Sequence, residues 1–63
     1  MKIVVDTPLG RVISADMGKT RDELKEFIEN CVGRSRYLSL VTRGGVVILP
    51  ESILNNSIIR LEE

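Results

Sequence analysis

Histidine and tryptophan are absent from this chain, cysteine occurs once, and the aromatic residues are only Phe27 and Tyr37. A lone Cys31 excludes an intrachain disulfide, and the lack of histidine removes the commonest ligand of a structural zinc site. With no histidine, no serine or cysteine in an elbow motif and no metal-ligand cluster, nothing local assembles a nucleophile, a base and an orienting third group. The chain therefore reads as a non-enzyme, and no cofactor is expected. Net charge is also missing, with nine basic residues against nine acidic ones, so no global field draws the protein toward nucleic acid or anionic lipid. Two aromatics make no stacking platform for bases. No apolar run approaches the length of a bilayer span, Val46–Leu49 being typical, and a secretory core segment is lacking. Together with the single cysteine, this reads as a cytoplasmic protein with no membrane and no nucleic-acid partner.

What the chain does have is aliphatic side chains: seven Ile, seven Leu and seven Val among 63 residues. That content argues against disorder. The length suffices for a single domain over 1–63, and at that size burial set against an ordering cost of about 1.5 kcal/mol per residue comes out near zero. Small proteins usually offset this with a disulfide, a metal or a partner subunit. With the first two excluded, a partner is expected.

The order of elements follows from local signals. Lys2–Thr7 is rich in β-branched residues and runs into Thr7-Pro8-Leu9-Gly10, a turn in which Pro presets one φ and Gly supplies a positive one, so Arg11–Ala15 returns as a second strand. Thr20-Arg21-Asp22-Glu23 is a capping box. From it, Leu24, Phe27, Ile28, Cys31 and Val32 recur on one stripe of a helix, and Gly33 is the expected left-handed stop. Arg36–Thr42 and Val46–Leu49, joined by Arg43-Gly44-Gly45, form a second hairpin. Pro50–Asn56 fits one helical turn, and Ser57–Leu61 is a fifth strand. The fold expected is α+β, in the order ββαβββ: an antiparallel sheet of two hairpins plus a C-terminal strand, packed on one amphipathic helix.

Clean one-sided alternation is absent. Val4 and Val5 are adjacent, as are Val46–Leu49 and Ile58 with Ile59, so both faces of several strands are apolar. A helix of about three turns, roughly 18 Å long, covers one face only. The other is covered either by curling into a partly closed barrel or by the same surface of a second subunit. The homo-oligomer is the reading favoured, because a barrel of five short strands leaves the problem of size in place.

Arg34, Arg36 and Arg43 are the one basic concentration, and guanidinium groups suit phosphate. Arg36 and Arg43 stand at opposite ends of one strand, roughly 23 Å apart, so a joint pocket would lie between subunits. Arg34 and Arg36 also suit the negative end of the helix dipole, and Gly44-Gly45 suits a hairpin turn as well as a close approach to a ligand. Cys31 lies on the apolar stripe, as a small core residue does. Asp6 and Asp16 are candidates for a carboxylate pair, but each falls where solvated acids are ordinary.

The C-terminal segment Gly45–Ile59, GVVILPESILNNSII, resembles small uncharacterised α+β proteins of phages and prophages of Gram-positive bacteria. The resemblance lies in a strand, a Pro-started turn, then Leu, Asn, Ser and a closing Ile-rich strand. It implies a mobile-element accessory protein that acts by binding a host protein or, held between subunits, a signalling nucleotide. No site residues come with it. The function expected is that of a non-catalytic, homo-oligomeric binding protein, with an oligomer that binds a nucleotide at Arg34, Arg36, Arg43, Gly44 and Gly45 as the alternative.

Overall fold

The computed structural model of the chain describes residues 1–63. Its elements are β1 (Lys2–Thr7), β2 (Gly10–Ile13), α1 (Arg21–Asn30), β3 (Tyr37–Thr42), β4 (Gly45–Pro50), α2 (Glu51–Leu54) and β5 (Ile58–Glu62), with a wide π-helical turn, Cys31–Ser35, between α1 and β3. The fold is α+β in the expected order, and every strand pairing is antiparallel. The strands divide between two sheets, ordered β2-β1-β5 and β3-β4.

The two hairpins share one turn. Thr7 Oγ1 donates to the Gly10 carbonyl at 2.7 Å, and Thr42 Oγ1 donates to the Gly45 carbonyl at 3.2 Å. Gly10 and Gly45 have φ of 140° and 135°, a region that side chains strain to enter. Each turn thus reads Thr-x-x-Gly, and the glycine is required at its last position.

The division into sheets begins at Ser14. Its amide donates to the Ile3 carbonyl at 2.9 Å, continuing the β1–β2 ladder. Its buried hydroxyl, in place of its own carbonyl, accepts the Ile3 amide at 2.8 Å. Released from the ladder, the chain turns away, and Ala15 N–H reaches the Val41 carbonyl at 2.9 Å, joining one sheet to the other. The second strand therefore ends at Ile13, two residues before the sequence pattern suggests.

Between the layers lies a core of Ile3, Val5, Leu24, Leu38, Leu40 and Leu49, with Phe27, Ile28, Cys31, Ile59 and Leu61 packed around it. The register aligns Ile3 with Leu61 and Val5 with both Ile59 and Val12, so alternate residues of three strands point inward together. Each fully buried aliphatic side chain contributes about 1.5–3 kcal/mol of transfer free energy. The capping box forms in both directions: Thr20 Oγ1 accepts from Glu23 N–H, and Glu23 Oε1 accepts from Thr20 N–H. The helix does not stop at Gly33. It widens into the π turn and ends at Arg36, whose φ of 60° and ψ of 22° are left-handed. Here packing onto β3 prolongs the helix past the local stop signal.

Candidate functional site

The five residues expected to form a ligand site lie in two places. Arg34 and Arg36 belong to the π turn and its left-handed end, before β3, whereas Arg43, Gly44 and Gly45 make the turn after it. Within the chain they do not meet. None of the three arginines forms an ion pair. Arg43 and Gly44 line a cleft of about 650 Å³ together with Lys2, Ser14, Asp16 and Thr42. Gly45 is explained by its φ, while an added Cβ at Gly44 would meet nothing within 4 Å, and no contact accounts for that residue.

The acids are occupied elsewhere. Asp6 accepts the Arg11 Nε–H at 2.7 Å and pairs with Arg60 at 3.1 Å. The Arg11 hydrogen bond, above all, holds its carboxyl below the ordinary range. Asp16 is lowered chiefly by the backbone N–H of Gly18, then by the amino group of Met1 at 2.9 Å. Glu23 is lowered by the backbone N–H of Thr20. All three are acceptors fixed in the ionised form, the opposite of a carboxyl poised to carry a proton near neutral pH. No three His, Cys, Asp or Glu side chains are grouped so as to hold a metal.

The outer faces of the two sheets differ in kind. On the β2-β1-β5 sheet, Val4 is only 3% exposed although it points away from the core. Ile13 and Arg60 flank it as cross-strand partners, and Arg60 is held by Asp6 and by Glu62 at 3.2 Å. These exposed pairs are individually weak, but together they lay a polar lid over Val4. The cover is partial, since Ile13 and Ile58 stay 49% and 66% exposed on the same face.

The β3-β4 sheet has no such lid, since neither strand carries a charged residue. Tyr37, Val41, Val46 and Ile48 remain 44%, 57%, 63% and 62% exposed on its outer face, Val41 standing opposite Val46 in the register. The four leave roughly 400 Å² of residue surface in water, backbone and the Tyr37 hydroxyl included, within the range of the largest patch on an ordinary monomer, which is often functional. The whole chain exposes 4417 Å², against about 4,000 Å² for a typical folded monomer of its mass. Sequence reasoning found β4 apolar on both faces but missed Tyr37 and Val41. The available signal was the lack of charge across the hairpin strands.

Compared with known protein families, curated proteins and solved structures, the chain matches none.

Proposed function

We propose that this chain is a non-catalytic binding protein that works as a homo-oligomer in a reducing cytoplasm, of the phage or prophage accessory kind that its C-terminal segment resembles. Its target on this reading is a host protein. The observation that carries it is the uncharged outer face of the β3-β4 sheet, where four large apolar side chains stand in water with no charge among them, whereas the exposed Ile13 and Ile58 of the opposite sheet stand among ion pairs. An apolar patch free of charge is what a protein interface presents at its centre.

The test is the mass of the purified protein by light scattering over a wide dilution range, with native mass spectrometry of the same sample. A stable oligomer supports the reading, and a 7.0 kDa particle at every concentration overturns its oligomeric half.

One observation favours a second reading, a nucleotide held between subunits. Arg34, Arg36 and Arg43, like Arg21 at the helix start, are free of ion pairs, whereas Arg11 and Arg60 are engaged, and the three flank the two ends of β3. Under it, Arg36→Ala or Arg43→Ala abolishes binding of a cyclic oligonucleotide without changing the assembly. Extra mass carried by the native oligomer favours this reading over the first.

A further inference from the structure

The edges of the two sheets are guarded unequally. β2 carries Arg11, and β5 carries Arg60 and Glu62. The free side of β3 is engaged at Val41, whose carbonyl takes the Ala15 amide. β4, Gly45–Pro50, presents an edge with no charge, no neighbouring strand and no bond of the kind that Ala15 makes to β3. Charges and covering elements are the usual means by which proteins keep sheet edges from pairing.

The hairpin register fixes which groups lie on that edge. Thr42 and Gly45 flank a two-residue turn, and the pairs Leu40–Val47 and Leu38–Leu49 follow at alternate positions. In an antiparallel ladder every second residue turns its N–H and C=O to the other side, so Val46 and Ile48 direct theirs outward. No backbone bond outside the hairpin reaches either residue, nor does any side chain. A cleft of about 330 Å³, lined by Gly10, Arg11, Val12, Ile48 and Pro50, lies between the first hairpin and the C-terminal end of this edge.

We propose that two copies of this chain join through β4, antiparallel about a two-fold axis at Val47, so that the two β3-β4 hairpins become one four-stranded sheet. This rests on the homo-oligomeric reading above and names its interface. The edge is complementary to itself. With Val46 opposite Ile48 of the second copy and the reverse, each chain supplies two donors and two acceptors, and all four bonds form. A shift by one pairing step toward the C-terminus meets Pro50, which has no N–H and leaves the opposite Val46 carbonyl without a donor, and a shift the other way meets Gly44 inside the turn and loses the pairs there. The lack of charge along β4 means that self-pairing brings no like charges together. The joined sheet merges the two exposed faces of Tyr37, Val41, Val46 and Ile48 into one platform for a target.

The test uses Val47→Cys in a Cys31→Ala background and, separately, Ile48→Pro in the native chain. Residues paired across the axis have Cα atoms about 4.5 Å apart in a non-hydrogen-bonded position, within disulfide reach. Mild oxidation is therefore expected to convert Val47→Cys into a covalent dimer, whereas Arg43→Cys in the same background stays uncoupled. Ile48→Pro removes an edge donor without touching the hairpin ladder. It is expected to keep the circular dichroism of the native chain and to raise the dimer dissociation constant, by sedimentation equilibrium, at least tenfold. Should Ile48→Pro fail to fold, the Val47→Cys cross-link decides alone. An oligomer that survives Ile48→Pro and gives no Val47→Cys cross-link overturns this interface and leaves the oligomeric reading standing. A native chain monomeric at every concentration overturns both.

Discussion

Replacing Ser14 with Ala deletes one oxygen at the point where the chain leaves one sheet for the other. The Ser14 hydroxyl accepts the Ile3 amide at 2.8 Å and donates to the Ala15 carbonyl at 3.0 Å. The residue is buried, and so is Ile3. In Ser14→Ala the Ile3 N–H is left without an acceptor in a place water does not reach, which costs about 1–3 kcal/mol. The Ala15 carbonyl is only half buried and regains a partner from solvent, so it adds little. Small domains unfold in urea with slopes near 1 kcal/mol per molar, and the midpoint should fall by roughly 1–3 M. The assay is a urea titration followed by circular dichroism at one fixed protein concentration, since association shifts apparent stability. Hydrogen exchange at Ile3 is the local readout, and its protection should drop with the midpoint. A midpoint lowered by less than about 0.3 M, with the Ile3 amide still protected, refutes the role assigned to this hydroxyl.

Leu24, which has no exposed surface, should cost about 2–5 kcal/mol as Leu24→Ala, enough to leave a chain of this size largely unfolded by circular dichroism at room temperature. Thr20→Ala removes one half of the capping box and should cost about 1 kcal/mol by the same urea titration. Arg36→Gly relieves a left-handed residue of its side chain and should raise the melting temperature; a fall would show that the guanidinium holds the fold in a way its contacts do not reveal. Asp6, Asp16 and Glu23 all have folded pKa values below their ordinary range. The stability they lend is present above the unfolded carboxylate pKa of about 4 and is lost as pH falls through the depressed folded values. A melting temperature that holds constant down to pH 3 would contradict those contacts.

The parts of the fold legible in the sequence are those whose cause is local. Thr20 and Glu23 mark the helix start because the capping bonds span three residues, and Leu24, Phe27, Ile28 and Cys31 mark its buried stripe because that spacing is the helix's own period. Gly10 and Gly45 mark their turns because no other residue takes their φ without strain. The end of the helix was misplaced at Gly33, since Arg36 adopts φ 60° under packing from β3 and carries no local sign of it. The division into two sheets was hidden for the same reason. It depends on a hydroxyl at Ser14 and an amide at Ala15 meeting groups 11 and 26 residues away in the chain. Of the candidate site, the sequence located the arginines and the turn and, through the length of β3, their separation, but not the exposed face that Tyr37 and Val41 share with β4.

A formal charge of zero conceals where the charges are. Lys2, Asp6, Arg11, Arg60 and Glu62 all lie on β1, β2 and β5, while β3 and β4 have none. Both sheets contribute one face to the same core, and both have aliphatic side chains on the other. On the first sheet Arg60 and its two acidic partners stand beside Val4, and the exposed Ile13 and Ile58 are set among charges. On the second nothing plays that part, and an uncovered apolar face beside an unguarded edge favours association over solubility. Charged side chains, lysine above all, are a common means of suppressing pairing at such an edge. The lack of charge across twelve strand residues is therefore the feature that sets the second sheet apart from the first, and the proposed association rests on it.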